Sequence, residues 1–282
     1  MPHCLQAKEC FLKKTFSILG TWMLYSMVIA GIFWVTSHRF KGFYKTKKAI
    51  VKIVPPEIVP GKAMISITFD DGRKSDFTIA APLMNRFGFA GTSFIYPQAQ
   101  DKQWAEFMHW EQVQRLQDKY QWEIGSHTYS HVKLTELSVV QIEQELHKSK
   151  SALLQHEINV QSFASPFGEY NNNIVTLIRR PYLSHRTAWP DAANNWDDLN
   201  PYELKCVMIL GDTPVKEIEH WIDNAIENKQ WLILLFHKLT QNRLTPKNEY
   251  SYFSRDFEHI LMYISEQKIP VVRIVDVIVT AP

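Results

Sequence analysis

The sequence predicts an α/β fold with a parallel sheet. Short β-prone runs alternate with segments of helical periodicity between residues 64 and 275, a pattern typical of βα units. The run at 231–236 is continuously apolar, as in strands that are buried on both faces of a parallel sheet. Acids or histidines follow several of these runs, at the strand ends where α/β proteins build their sites. The periodicity fits a closed barrel and a doubly wound open sheet equally well.

The predicted strands and helices follow one another along the chain. Strands are predicted at residues 64–69, 91–96, 122–125, 161–164, 183–187, 205–209, 231–236 and 271–275. Helices are predicted at residues 76–87, 110–120, 138–155, 172–180, 214–228 and 255–267.

The first predicted strand ends on two adjacent carboxylates. Residues 68–72 read Thr-Phe-Asp-Asp-Gly, and the apolar alternation before them brings Asp70 and Asp71 to the carboxyl end of the strand. Gly72 then allows the backbone to turn. Acids in this position usually serve chemistry. The alternative is a structural role, in which one of the two aspartates caps the helix that follows.

Two histidines follow the predicted strand at 122–125. His127 and His131 are four residues apart, and imidazoles at this spacing converge on one ion if the turn between them is helical. Zn²⁺ accepts two histidine nitrogens and one carboxylate while it keeps a position open for water, and Asp71 would supply the carboxylate. The alternative is an exposed or hydrogen-bonded pair, since this spacing also arises by chance.

Two further segments complete the set of strand ends. Residues 162–171 contain a proline and a glycine just after a short β-prone run, which predicts an irregular loop. His237 follows the apolar run at 231–236 and is expected at the mouth of that strand. The alternative for His237 is a core histidine with a backbone partner, because a buried imidazole needs one.

Together these segments resemble the motifs of the polysaccharide deacetylase family, also called the NodB-homology domain or carbohydrate esterase family 4. The resemblance covers residues 64–278, and its motifs occur in the family's order and separation. The four matching segments are residues 68–72, 126–131, 163–168 and 233–237. The resemblance implies a distorted (β/α)7-type barrel, and the choice of a barrel over an open sheet rests on it.

The resemblance also implies a role for each matching residue. Asp70 would be the general base, and His237 would protonate the leaving amine. Asp71, His127 and His131 would hold a divalent metal that binds the attacking water and polarises the substrate carbonyl. Zn²⁺ is the expected ion for this donor set, and Co²⁺, Ni²⁺ and Mn²⁺ stay open.

The remaining candidates concern the substrate. By resemblance, the backbone N–H of Phe167 would help to hold the oxyanion, and Leu235 would line the pocket for the acyl methyl group. Trp189 and Trp196 are candidates for stacking on sugar rings, because the stretch between them looks like a loop. Most of the other aromatic residues are expected to serve packing.

The chain departs from the family pattern in two places. Many members carry an arginine in the third motif that contacts the base aspartate, and here that position is Ala164. A subgroup has Phe-Ala-x-Pro-Phe-Gly in this motif, as this chain does. The aspartate that orients the last histidine is also not evident from the sequence. The four candidates for that role are Asp191, Asp197, Asp198 and Asp212.

An apolar segment near the start of the chain predicts a membrane anchor. Residues 16–36 carry no charge and are long enough to cross a bilayer as one helix. The run stays apolar past a small-residue site that resembles a signal-peptidase site, which favours an uncleaved anchor. A buried soluble helix is the alternative. The predicted order is a tail at 1–15, the anchor at 16–36, a basic and proline-containing juxtamembrane linker at 37–62, and a catalytic domain at 63–282.

The orientation in the membrane is open from charge alone. The excess of Lys and Arg after the anchor favours a cytoplasmic catalytic domain, whereas the polysaccharide substrates of the family favour the extracytoplasmic side, which we adopt. The net charge of +2 gives no indication of nucleic-acid binding. Protein partners cannot be read from the sequence.

These expectations combine into one functional hypothesis. The chain is expected to be a single-pass, membrane-anchored and metal-dependent hydrolase that removes N-acetyl groups from amino sugars of a polysaccharide. One alternative is a deacylase of a lipid-linked sugar at the membrane surface. The other is a catalytically silent carbohydrate-binding protein on the same fold.

Overall fold

The computed structural model describes residue 53, residues 55–242 and residues 249–280. The predicted tail at 1–15 and the predicted anchor at 16–36 lie outside these residues. Within the described part of the chain, no helix combines the length and the apolar character that a membrane span requires.

Seven parallel strands form a closed barrel in sequence order. They are β1 (Met64–Phe69), β2 (Thr92–Ile95), β3 (Glu123–Ser126), β4 (Ser162–Ala164), β5 (Ser184–Asp191), β6 (Leu204–Met208) and β7 (Trp231–Phe236). Strand β7 pairs with β1 along its whole length, so the sheet has no free edge. The predicted barrel is confirmed, and the open sheet is excluded.

The barrel is irregular at two of its strand pairs, β3–β4 and β5–β6. Strands β3 and β4 share a single register pair, Ser126 with Phe163. Between β5 and β6 the register shifts between Arg186 and Asp191, as it does at a β-bulge. The distorted (β/α)7 form implied by the family resemblance is therefore present in these strands.

Helices follow most of the strands. They are α1 (Ala81–Asn85), α2 (Pro97–Asp101), α3 (Trp110–Tyr120), α4 (Val139–Gln155), α5 (Asn172–Ile178), α6 (Val215–Glu227), α7 (Ser254–Glu266) and α8 (Ile274–Thr280). A π-helical turn at Asp76–Ala80 leads into α1. Each predicted helix is present, with ends that shift by at most two residues.

Alternating side chains along the strands divide the core into two clusters. Ile65, Ile67 and Phe69 belong to the larger cluster, which also contains buried residues of the surrounding helices. Ile233 and Leu235 belong to a second cluster, on the opposite face of the barrel wall, because side chains alternate along a strand. The barrel is thus filled with side chains, and its open end is the place left for a site.

The prediction of a strand at residues 271–275 is wrong. Val271 forms only an isolated bridge with Ile65, and helix α8 begins at Ile274. The cause is buried Glu123, whose carboxylate accepts hydrogen bonds from the N–H of Val275 at 3.0 Å and from the Thr92 hydroxyl at 2.8 Å. Burial raises the pKa of Glu123. The carboxylate thus pairs a backbone N–H that the start of a helix leaves without an intrahelical partner.

A small second sheet was not predicted from the sequence. Strand β8 (Lys238–Thr240) pairs in parallel with β9 (Ser251–Phe253). Its first residue directly follows His237, so this sheet continues the last barrel strand beyond the mouth of the barrel.

Candidate active site

A cavity of about 580 Å³ opens at the carboxyl ends of the barrel strands. All the predicted site residues line it except Trp196. The residues that the sequence spreads over 168 positions, from Asp70 to His237, are therefore brought to one place.

The end of β1 delivers the two aspartates to this cavity. The Asp70 N–H donates a hydrogen bond to the Phe236 carbonyl at 2.9 Å, which continues the pairing of β1 with β7. Asp71 has a φ of 74°, in the left-handed region that few side chains adopt. Gly72 also has a positive φ, and a Cβ on it would lie 2.6 Å from a methyl carbon of Ile95. The turn therefore requires glycine at this position.

The turn that carries the two histidines differs from the helical one that their spacing predicts. Thr128 and His131 have φ values of 61° and 57°, so the backbone is left-handed at both. The Thr128 hydroxyl accepts a hydrogen bond from the His131 N–H at 2.9 Å. The two rings still converge, with centroids 5.0 Å apart.

Glu145 of helix α4 holds this turn in place. Its carboxylate accepts hydrogen bonds from the N–H groups of Tyr129 and Ser130 at 2.9 and 3.0 Å and from the Ser130 hydroxyl at 2.8 Å. This role could not be predicted, because in the sequence Glu145 looks like any polar residue on an amphipathic helix. It bonds the two residues Tyr129 and Ser130, which lie between His127 and His131 in the chain.

The donor set fits a divalent metal. The ligand atoms of Asp71, His127 and His131 all lie within 4.8 Å of one another. The Asp71 Oδ1 atom is 3.1 Å from the His131 Nε2 atom and 3.9 Å from the His127 Nε2 atom. Tetrahedral zinc with bonds of about 2.0–2.2 Å places its ligand atoms roughly 3.3–3.5 Å apart, so a small adjustment would complete the site.

The tautomer of His127 suits a metal ligand. Its Nδ1 atom lies 2.8 Å from the Ala164 carbonyl oxygen, which can only accept a hydrogen bond, so Nδ1 carries the proton and Nε2 presents its lone pair. Burial lowers the pKa of His127 to about 4, which keeps the ring neutral.

Asp71 is held in its charged form. Burial alone would raise the pKa of Asp71, but the hydrogen bond with His131 and the nearby cationic groups bring it well below its ordinary value. Among these groups, Arg73 donates to the Asp71 Oδ2 atom from Nη2 at 2.7 Å and from Nε at 3.1 Å. The other oxygen of Asp71, Oδ1, faces His127 and His131.

Asp70 has an ion-pair partner, Arg186, that was not predicted above. The Arg186 guanidinium, which is 1 % exposed, forms an ion pair with the Asp70 Oδ1 atom. The Asp70 Oδ2 atom lies 3.9 Å from the His127 Nε2 atom, on the side of the candidate metal site. A signal was present in the sequence: an arginine inside the strand-like run at 183–187 needs an acid if that strand is buried.

His237 directly follows β7, the strand that pairs with β1, and lines the same cavity as Asp70. Burial lowers the pKa of His237. Among the described residues, no hydrogen-bond partner is found for its buried Nδ1 atom. Its ring packs against Tyr250 with a centroid distance of 4.8 Å.

The four aspartates considered for orienting His237 do not line its cavity. Asp197, Asp198 and Asp212 are exposed. The Asp191 Oδ1 atom accepts a hydrogen bond from the Met208 N–H at 3.3 Å, and this bond links strand β5 to strand β6. Over the described residues, His237 is thus held by packing and by its place at the strand end.

The candidates for substrate contact take distinct places in the cavity. Leu235 is buried and contributes to its apolar wall. Phe167 has a φ of 61° and an exposed ring that meets His131 edge-on at 4.8 Å. Trp189, on β5, is 56 % exposed and lines the opening. An exposed indole at a cavity mouth is free to stack on a ligand.

Trp196 lies elsewhere. Its ring packs on Trp231 at 6.3 Å, and its Nε1–H donates to the Lys62 carbonyl at 2.9 Å. Trp231 is the first residue of β7, so this contact lies at the opposite end of the barrel from the cavity. The expected sugar stacking by Trp196 is therefore corrected to a packing role.

A family comparison bears on the same part of the chain. The family model described as polysaccharide deacetylase matches residues 58–183. A bifunctional xylanase/deacetylase of Pseudobutyrivibrio xylanivorans is 26 % identical over 121 residues. This match covers 43 % of the chain, and the chain spans about a fifth, 19 %, of that relative's length.

Solved structures with the same fold include members of carbohydrate esterase family 4. The family 4 carbohydrate esterase from Streptomyces lividans, in complex with acetate, has a TM-score of 0.51 and 15 % identity, and the match covers 74 % of this chain and 91 % of that one. A family 4 pseudoenzyme from Bacillus anthracis has a TM-score of 0.52 and 13 % identity, with 80 % and 70 % covered. Residues 58–183 of the chain are thus similar to the polysaccharide deacetylase family.

Proposed function

We propose that the protein is a metal-dependent hydrolase that removes N-acetyl groups from amino sugars of a polysaccharide. One observation carries this proposal: Asp70, the His–Asp cluster and His237 line a single cavity. A base, a metal-binding set and an acid are the groups that amide hydrolysis needs. A purely binding role would not require all of them together.

The metal would be held by Asp71, His127 and His131. When bound, a divalent ion at this site would lower the pKa of a water molecule and polarise the acyl carbonyl. Zn²⁺ is the first choice for two imidazoles and one carboxylate. Co²⁺, Ni²⁺ and Mn²⁺ remain alternatives.

The two titratable side chains divide the proton transfers. The Asp70 carboxylate would take a proton from the attacking water as its oxygen bonds to the acyl carbon. His237 would give a proton to the sugar nitrogen as the carbon–nitrogen bond breaks, so that acetate and a free amine leave. The Phe167 N–H is the proposed donor to the oxygen that becomes negative in between.

The cavity walls favour a neutral, acetylated sugar. Leu235 and its apolar neighbours Ala188 and Met208 offer a surface for a methyl group. The cationic side chains Arg73 and Lys238 at the cavity are each paired with an acid, Asp71 and Glu106 respectively. Paired cations leave little net field to attract an anionic substrate. Trp189 would stack on a ring at the opening.

We also propose that residues 16–36 anchor the protein in the cell membrane, with the catalytic domain outside the cytoplasm. The support is the uncharged length of this segment and the kind of substrate proposed. Such a location would place the cavity near a cell-surface polymer.

The proposed function predicts acetate release from N-acetylglucosamine oligomers by the full chain with Zn²⁺ in detergent. Asp70→Asn should lower the rate by about 10²–10⁴-fold, because the proton acceptor is lost, while it keeps the metal. His127→Ala should lose the metal as well. Acetate assays and metal analysis of the purified proteins give both readouts.

The matched control is Asp118→Asn, a surface aspartate on α3, which should leave both readouts unchanged. Equal metal loss in Asp70→Asn and His127→Ala would contradict the division of roles. Metal binding without acetate release by the parent would reject this substrate, and would direct attention to lipid-linked sugars and then to a silent binding protein.

The acid role of His237 predicts a dependence on the leaving group. His237→Ala should slow hydrolysis of the N-acetyl amide by about 10²–10⁴-fold, because an amine leaves only after protonation. An aryl acetate, whose phenolate leaves without a proton, should lose far less. The ratio of the two rates is the measurement, and equal losses on both substrates would reject the role of an acid.

The two tryptophans predict opposite effects. Trp189→Ala should raise the KM for an oligomer by about 2–10-fold, the value of one aromatic contact, with little change in the melting temperature. Trp196→Ala should leave KM unchanged and lower the free energy of unfolding by about 2–4 kcal/mol, because it removes packing on Trp231. An unchanged KM in Trp189→Ala would rule out sugar stacking at this position.

The anchor proposal predicts that the full chain stays with membranes after an alkaline carbonate wash. The chain without residues 1–36 should appear in the soluble fraction, because it lacks the apolar segment. Immunoblots of the two fractions decide the question. Release of the full chain by the wash would reject a spanning anchor.

A further inference from the structure

The missing arginine of the third motif has a counterpart one strand away. Ala164, which stands where many family members have arginine, is the register partner of Arg186 in the parallel pair β4–β5. Partners in neighbouring strands lie about 4.8 Å apart and point to the same face of the sheet. An arginine side chain is long enough to cover this difference, so Arg186 can reach a target that an arginine at position 164 would reach.

The target of Arg186 is Asp70. The guanidinium Nη2 atom pairs with the Asp70 Oδ1 atom, and the Nη1 atom donates to the Thr187 carbonyl at 3.3 Å. Both partners of the ion pair are buried, with side chains 1 % and 6 % exposed. A buried cation is retained at such a place only when it is neutralised.

No other acid competes for this guanidinium within the described residues. The Cys206 thiol lies 3.9 Å from the Nη1 atom. Burial raises the pKa of Cys206 to about 11, so the thiol carries no charge. Asp70 is thus the counterion of Arg186, and the Phe94 ring packs against the guanidinium at 5.1 Å.

The ion pair fixes which oxygen of Asp70 faces the reaction. Oδ1 is occupied by Arg186, and Oδ2 points to the side of His127, at 3.9 Å. An attacking water bound near the histidines would meet Oδ2. We propose that Arg186 replaces the third-motif arginine from the neighbouring strand and acts as the positioning residue of Asp70. This inference rests on the proposed function, in which Asp70 is the base.

The test returns an arginine to position 164 and removes the one at position 186. We compare the full-length parent with Arg186→Ala, Arg186→Lys and the double variant Ala164→Arg/Arg186→Ala, each loaded with Zn²⁺. The measurements are kcat and KM for acetate release, metal content, and the melting temperature. Arg180→Ala, a surface arginine paired with Glu143, is the matched control.

Arg186→Ala should lower kcat by about 10²-fold, the loss expected from a misplaced catalytic group, with metal content unchanged and KM nearly so. The double variant should regain at least about tenfold of that loss, because the charge returns to the same carboxylate. Arg186→Lys should fall between the two, since an ammonium lacks the planar fork of the guanidinium. Rescue at position 164 is a result that a merely structural role of Arg186 would not produce.

Three results would overturn the inference in distinguishable ways. An Arg186→Ala protein with the kcat of the parent would show that Asp70 needs no such partner. A folded, metal-loaded double variant with no gain over Arg186→Ala would show that the two positions are not equivalent. If Arg186→Ala does not fold, the Arg186→Lys and double variants decide by the same criterion. A metal-loaded parent that releases no acetate would overturn the proposed function itself, and the role of Arg186 with it.

Discussion

The pairing of β1 with β7 is the constraint on which the site depends. Six consecutive register pairs, from Met64 with Trp231 to Phe69 with Phe236, join strands that are far apart in the chain. The Asp70 N–H adds one more hydrogen bond beyond the last pair. In an open sheet these strands would be at opposite edges, and Asp70 and His237 could not share a cavity. Closure of the barrel is therefore what brings Asp70 and His237 to the same cavity.

The two aspartates of the site are arranged in the same way, each beside one arginine. Asp70 and Asp71 each give one oxygen to an arginine and turn the other toward the histidines. Asp70 pairs with Arg186 through Oδ1, and Asp71 pairs with Arg73 through Oδ2. Two carboxylates beside one another would repel, and one would take up a proton. One arginine for each aspartate offsets the repulsion between these two carboxylates, which are consecutive in the chain.

The fold and most of the site could be predicted because both depend on local patterns. Short β-prone runs between helical segments indicated the barrel strands, and the residues at their ends indicated the cavity. The failures have tertiary causes. The strand expected at 271–275 became the start of α8 because the Glu123 carboxylate binds a backbone N–H there. Trp196 packs on Trp231 instead of lining the cavity. Glu145 and Arg186 act on residues far from them in sequence, and no periodicity records such contacts.

The register match between Ala164 and Arg186 bears on how silent members of this fold are recognised. A motif written as a string of letters records a loss at Ala164, although the positive charge beside Asp70 is still there. A sequence motif compares positions along the chain, whereas the electrostatic environment of a carboxylate depends on the charges that lie within a few ångströms of it. Two chains can thus differ at a motif position and keep the same electrostatic surroundings. The charged groups that surround the aspartate in the structure therefore distinguish a degenerate site from a rearranged one better than the letters of the motif do.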